Sequence, residues 1–247
     1  VNPEEYDKMF SLEDHYWWFV GRRRLALGLL KTALSSISDR RPKVLDLGCG
    51  TGVVLRDLGQ WASPVGLDMS SRALGYCHQR GLDLTVQGNG ECLPILDESL
   101  DAIIGLDIFE HIENDRAAFS EAFRVLRPGG ALVLSVPAFR SLWGPHDVAL
   151  MHFRRYRRSE IRARLEEAGF EVPRVGYSVF FLFPLVVIWR IVEKRKKGPA
   201  KASLVSVPGW LNRFLISVQD LEAALISRFD LPWGSSVVAV ARKSRSK

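Results

Sequence analysis

Three glycines at the end of an apolar segment constrain the fold more than any other feature: Asp46-Leu47-Gly48-Cys49-Gly50-Thr51-Gly52. Residues 44–47 read as a short buried strand and 53–61 as a helix, so the glycines occupy a tight strand-to-helix turn. Glycine there admits positive φ and lets a ligand approach main-chain atoms. In an open α/β sheet such a turn sits at the carboxyl edge, where ligands bind. The dinucleotide fingerprint GxGxxG needs a glycine where Val53 stands, which tips the spacing away from a nicotinamide dinucleotide.

The alternation continues along the chain. Residues 65–68 form a second predicted strand, followed by a helix that Ser70 or Ser71 caps. A third strand is expected at 84–87 and a fourth at 102–106. Residues 115–126 place Phe119, Ala122, Phe123 and Leu126 at helical spacing; Pro128-Gly129-Gly130 stops that helix before a fifth strand at 131–136. After a long loop, Ser159 is expected to cap a helix ending at Ala168-Gly169, with a sixth strand at 170–177 and a seventh at 237–241. This pattern predicts an α/β fold with a mostly parallel sheet covered on both faces. With 247 residues, 47% of them apolar and 25% charged, the chain has room for one such core plus additions and is not a disordered chain.

Net charge is +6, unevenly placed: residues 1–150 carry 15 basic and 20 acidic side chains, residues 151–247 carry 19 and 8. A basic second part suggests an anionic partner there. Cys49, Cys77 and Cys92 are odd in number and lack zinc-type spacing, which points to a reduced, cytoplasmic setting. The acidic, polar start is unlike a secretory signal. The longest uncharged stretch, 175–189, has 15 residues, short of the roughly 20 that span a bilayer.

With VLDLGCGTG, the second-strand end GLDMS, the fourth-strand run LDAIIGLDIFEHI and RVLRPGG before strand five, the chain resembles class I S-adenosylmethionine (SAM)-dependent methyltransferases over about residues 43–140. The loop Trp143-Gly144-Pro145-His146-Asp147, the run His152-Phe153-Arg154-Arg155-Tyr156 and the aromatic–basic lead from His15 to Arg24 resemble one bacterial subgroup. The resemblance implies a Rossmann-like seven-stranded sheet whose antiparallel last strand lies beside the sixth. It implies SAM as cofactor, S-adenosylhomocysteine as product, and no required metal. Asp46 with Gly48, Gly50 and Gly52 would hold the amino-acid end of SAM. Asp68, next to Met69, would take the ribose hydroxyls. Asn89 and Gly90 stand where relatives read the adenine, with Asn in place of an Asp. Leu106 and Asp107 would border the methionine portion.

Methyl transfer is an in-line displacement, so alignment supplies much of its rate, and a base is needed only when the acceptor must lose a proton. His146, oriented by Asp147, is the expected base and His111 the second choice; His152, Arg155 and Tyr156 belong to the substrate region. Asp107, Glu110 and His111 raise a metal alternative, since some relatives bind Mg²⁺ through Glu-x-x-Glu-His here. Asp replaces the first Glu, and no metal is assigned. Trp18 and Arg23 are expected in a lid over the cofactor, Arg23 meeting the SAM carboxylate.

The expected organisation is a helical lid (1–42), a SAM-binding core (43–178), an apolar and basic helical insertion (179–233), and the last strand with a basic tail (234–247). Within the insertion, Pro184 suits a first helical turn and Lys194-Arg195-Lys196-Lys197 a helix C-terminus. A second helix carries Leu211, Phe214, Leu215, Val218, Leu221, Leu225 and Phe229 on one broad face. The insertion reads as a cap over a hydrophobic acceptor that also touches an anionic membrane surface as a peripheral contact; a dimer interface is the alternative. Six arginines between Arg154 and Arg164 suggest nucleic acid, but no RNA-binding module accompanies them, so RNA ranks below a small or lipid-like acceptor. The expected function is O-methylation of such an acceptor, against an RNA methyltransferase or a non-catalytic SAM-binding scaffold.

Overall fold

The computed structural model describes residues 3–195 and 207–245. Lys196 and Lys197 of the basic run, and the side chains of Lys194 and Arg195, lie outside the described residues. Seven strands, β1 (Lys43–Leu47), β2 (Ser63–Asp68), β3 (Thr85–Gln87), β4 (Leu100–Leu106), β5 (Leu126–Pro137), β6 (Glu171–Ser178) and β7 (Ser236–Arg242), form one sheet in the order β3-β2-β1-β4-β5-β7-β6. β7 runs antiparallel to both of its neighbours, and every other pairing is parallel. The helices are α1 (Pro3–Leu12), α2 (Trp17–Ala33), α3 (Val53–Leu58), α4 (Ser71–Gln79), α5 (Asp115–Val125), α6 (Pro145–Ala149), α7 (Arg158–Glu167), α8 (Phe183–Arg195) and α9 (Gly209–Ile226).

The central strands are apolar runs because both of their faces are buried. In β4, Ile103 joins Leu45 and Leu132 under α5 and α7, while Ala102 and Ile104 join Val44 and Val133 under α2 and α9. This period of two divides the core into two layers. Ser70 does cap α4, its Oγ accepting from Ala73 N at 3.3 Å. Two boundaries differ from expectation. α5 ends at Val125, and Pro128-Gly129-Gly130 lies inside the bent entry of β5, where Gly129 adopts φ 83 and donates to Lys243 O at 2.8 Å. Ser159 does not cap α7; the N-cap is Arg157, two residues earlier, whose N donates to the Glu160 carboxylate at 2.7 Å.

The N-terminal region is not one lid. α1 lies over the β1–α3 turn, fixed to α4 by stacking of Phe10 on Tyr76 (4.4 Å) and by Asp7, which accepts from Tyr76 Oη at 2.6 Å and pairs with Arg72. α2 instead lies against α9 and, beyond its first two turns, packs on the back of the sheet.

The broad apolar face of α9 is only partly covered. Phe214 and Leu221 are 59% and 58% exposed, Leu211, Leu215, Val218 and Leu225 are half-buried, and Gln219, Glu222 and Ile226 are buried. Polar partners set this orientation. Gln219 donates from Nε2 to Trp17 O at 3.3 Å, across a contact that Gly21 keeps open: a Cβ there would sit 1.9 Å from Gln219 Oε1. The Glu222 carboxylate accepts from the backbone N–H groups of Val179, Phe180 and Phe181, the second at 2.7 Å and the third at 3.2 Å. These bonds hold Val179 at φ 61, a conformation rare for a β-branched residue. Glu222→Ala leaves three N–H groups without their acceptor and is expected to cost about 3 kcal/mol, read by urea denaturation.

Candidate cofactor and acceptor site

A cavity of about 730 Å³ opens at the carboxyl edge of the sheet, among the ends of β1, β2, β4 and β5, and beneath α1, α6 and α8. Its first end is built by the glycine turn. Gly48 and Gly50 adopt φ 72 and 53, and a Cβ on Gly50 would come within 2.6 Å of Met9 Cε, on Gly48 within 2.6 Å of the Ile108 side chain. Gly48 N and Cys49 N donate to Leu67 O at 2.8 and 3.0 Å, tying the turn to β2. The Asp68 carboxylate accepts from Gly50 N at 2.9 Å and from Ser70 N at 2.8 Å and still lines the cavity. Burial raises its proton affinity. Tyr6, Met9, Met69, Gly90 and Leu106 complete these walls.

Several predicted cofactor contacts stand elsewhere. Asp46 is buried under the turn and does not line the cavity; its Oδ2 has no hydrogen-bond partner, and burial, with Asp68 and Glu13 nearby, pushes its carboxyl up to about 8. Gly52 is the left-handed residue that opens α3 and faces Cys77, also outside the lining. Asn89 spends its amide oxygen on Glu91 N (3.0 Å) instead of facing the cavity. Arg23 donates to Asp57 Oδ2 at 2.8 Å and to Glu13 O at 2.7 Å, clamping the α1–α2 link away from the cavity. Its neighbour Arg22, which the sequence reading passed over, lines the cavity beside Trp18 and pairs with Asp107. Only the chain's third dimension separates the two, because consecutive helical residues point about 100° apart.

Arg22 Nε, Asp107 Oδ1 and both Glu110 oxygens are buried without hydrogen-bond partners. They belong to residues lining the middle of the cavity. Buried polar groups left this way are costly unless something completes them. A zwitterionic amino-acid group offers the donors and acceptors they lack, so the residues present fit SAM: Asp68 for a sugar diol, Arg22 and Asp107 for the charged end.

The second end gathers His111, His146, His152, Arg155 and Arg190 with the apolar Phe19, Leu150, Met151, Phe153 and Val186. Asp147 organises part of it from below. His152 Nδ1 and Arg155 Nε donate to Asp147 Oδ1 at 3.0 and 2.7 Å, and Gly144 N to Oδ2 at 2.9 Å. Burial pushes this carboxyl up, but the three bonds and the Arg155 charge outweigh it and hold Asp147 well below the usual range. Among the described residues its bonds therefore go to His152 and Arg155, not to His146 as expected. Tyr156 also lies outside the cavity, donating to Asp115 Oδ2 at 3.0 Å and Phe109 O at 3.2 Å. Burial, with His152 beside one and Arg190 beside the other, pulls His111 and His146 down to about 3, so both are neutral imidazoles at pH 7. Glu110, His111 and His152 bring potential ligand atoms within 4.8 Å of one another. Asp107, engaged by Arg22, is not part of that group.

Burial pushes Glu110 up to about 8 from an ordinary 4.5. The folded chain thus keeps a proton that the unfolded chain releases between pH 4.5 and 8, and stability falls as pH rises through that window. The buried imidazoles act in the opposite sense, but only below about 6.5. Between pH 6.5 and 8 the melting temperature is expected to fall, and to fall less in Glu110→Gln, measured by thermal melts at constant ionic strength.

Residues 45–134 match the family model described as a methyltransferase domain. A probable S-adenosylmethionine-dependent methyltransferase of Mycolicibacterium smegmatis is 33% identical over 135 residues, 52% of each chain. A ubiquinone biosynthesis O-methyltransferase of Xanthomonas oryzae pv. oryzae is 27% identical over 54% of this chain and 61% of its own. The chain thus spans about half to three fifths of the length of these curated relatives. Among solved structures, the methyltransferase in complex with the Haloferax volcanii Trm112 activator superposes with TM-score 0.64 at 18% identity, over 99% of this chain and 95% of that one. Phosphoethanolamine N-methyltransferase 2 of Haemonchus contortus, solved with S-adenosyl-L-methionine, gives 0.60 at 15% identity over 89% and 52%. The glycine turn, the carboxylate ending β2 and the antiparallel β7 accompany these likenesses: residues 45–134 are similar to a methyltransferase domain, and the chain has the fold of the solved methyltransferases.

Proposed function

We propose that this chain transfers a methyl group from SAM to an oxygen of a small or lipid-like, largely apolar acceptor. The observation that carries the reading is the continuity of one cavity from Asp68 to His146: a cofactor end and a proton-accepting, apolar-walled end share one space. Bound there, SAM supplies an electrophilic methyl on a sulfonium. Asp68 and the Gly48–Gly50 backbone would hold the nucleoside, Arg22 and Asp107 the charged end. Phe19, Leu150, Met151 and Phe153 would exclude water and align the acceptor. His146, neutral at pH 7, takes the acceptor's proton at a ring nitrogen; His111 is the second candidate. The O-methyltransferase named among the relatives supports oxygen as the nucleophile.

Isothermal titration with S-adenosylhomocysteine tests the cofactor assignment: binding is expected, and its absence at millimolar ligand rejects the reading. With a turned-over acceptor, assayed in the presence of EDTA, His146→Ala is expected to slow S-adenosylhomocysteine release about 100-fold or more while S-adenosylhomocysteine still binds. Near-native turnover in that variant removes His146 as the base. A chain that binds S-adenosylhomocysteine but never releases it from SAM in the presence of candidate acceptors fits the scaffold alternative.

For the insertion we propose contact with an anionic membrane surface. Leu185 and Ile188 on α8 are 62% and 59% exposed, close to Val186 and Arg190 of the cavity rim, and the second part of the chain is strongly basic. No helix among the described residues is long and apolar enough to cross a membrane. Cosedimentation with phosphatidylglycerol vesicles at low salt, lost at high salt, is the expected result; vesicle binding that is absent at low salt removes this contact.

A further inference from the structure

We propose that α1 is a clasp for the cofactor and that Tyr6 is its nucleoside-binding residue, closing by ring and hydroxyl over the sugar and base that Asp68 holds from the other side. The inference rests on the methyltransferase reading and extends its cofactor site to α1. The two faces of this helix support it. Residues three apart share a face of a helix. Tyr6 and Met9 line the cavity, whereas Asp7 and Phe10, one position on, turn to α4. Asp7 accepts from Tyr76 Oη at 2.6 Å and from Arg72 Nη2 at 2.7 Å. Phe10 stacks on Tyr76, and Arg80 Cζ lies 4.5 Å from the centre of its ring. One face therefore latches the helix to α4, and that latch sets which side chains the other face offers to the cavity.

Tyr6 reaches the end of the cavity that Asp68, Met69, Gly88 and Gly90 also line. Its hydroxyl is within hydrogen-bond reach of the Ser70 side chain and close to the Asp68 carboxylate. Burial and that carboxylate push the hydroxyl up to about 12, so at pH 7 it keeps its proton and can donate to a sugar oxygen or a ring nitrogen. Asn89, expected to read the base, turns to Glu91 N instead. Tyr6 brings to this end an apolar ring with a polar tip, the combination that a nucleoside contact uses. Met9 seats the helix on the glycine turn: a Cβ on Gly50 would lie 2.6 Å from its Cε. No residue from 4 to 12 is buried, so α1 draws little from the core. A ligand held beneath Tyr6 and Met9 would add to what keeps the helix in place.

The test titrates S-adenosylhomocysteine, and methylthioadenosine, which lacks the amino-acid end, calorimetrically into the full chain. Tyr6→Ala is expected to weaken both ligands about tenfold or more, the size of an aromatic contact with a base. Tyr6→Phe is expected to weaken both about threefold, the size of one hydrogen bond. Arg22→Gln is expected to weaken S-adenosylhomocysteine and leave methylthioadenosine at the parent's affinity, and Ser11→Ala, at an exposed position of α1, to change neither. Hydrogen exchange supplies a second readout: S-adenosylhomocysteine is expected to slow the amides of residues 3–12 in the parent and in Tyr6→Phe. Parent-like affinity of Tyr6→Ala for both ligands, or exchange in residues 3–12 that S-adenosylhomocysteine leaves unchanged, overturns the clasp while the cofactor reading stands. A parent chain that binds neither ligand rejects the cofactor reading and the clasp together.

Discussion

The bond from Gly50 N to the Asp68 carboxylate, 2.9 Å long and buried, is the contact on which the rest of the site depends. It joins the turn after β1 to the end of β2, and it does so through a side chain that also faces the cavity. The same carboxylate caps the backbone at Ser70, where α4 begins. One group therefore sets the height of the glycine turn and the start of a helix, and under the proposed function it would also accept from a sugar. A charge-assisted bond of this kind is worth more than a neutral one when buried, and its cost in desolvation appears as the raised proton affinity of Asp68. Under that proposal structure and ligand would share the same oxygens, and replacing this residue would perturb both.

At the other end Asp147 plays an equivalent part. It sits on α6, a helix of only five residues, and gathers the backbone of Gly144, the imidazole of His152 and the guanidinium of Arg155. Such a network is favourable only when every member is satisfied. Here it is, and the loop after β5 acquires a fixed shape without regular secondary structure. Burial leaves the imidazoles of His111 and His146 neutral, and His152 is tethered to the Asp147 carboxylate.

How much of this was legible in the chain depends on the range of the interaction. The glycine turn, the positions of the strands along the chain up to β5 and the Ser70 cap follow from local rules, because positive φ, strand patterning and side-chain capping act within a few residues. Arg22 was hidden behind Arg23 because sequence specifies a helix but not its rotation about its own axis. Asn89 was read as a ligand contact, yet short amides readily turn to a backbone N–H two residues on, as it does to Glu91. Tyr156 and Asp147 found partners in other elements, at Asp115 and Arg155. α9 was the least legible element: its apolar stripe was visible, but Glu222 and Gln219 are bound to segments 42 and 202 residues away in sequence, and those bonds chose which side of the helix is covered.

The position of β7 bears on how such a chain can reach its final shape. Strand β7 occupies the slot between β5 and β6, with Val136 opposite Val237 on one side and Tyr177 opposite Val237 on the other. During synthesis the polypeptide emerges with β5 and β6 long before the segment that must slide between them. Until then two apolar strand margins stand open, a state prone to sticking to other chains. Closing the gap joins residues more than a hundred positions apart at β5, which slows the search. The nascent chain thus completes its sheet last, and assisted folding has its natural point of action at that late insertion.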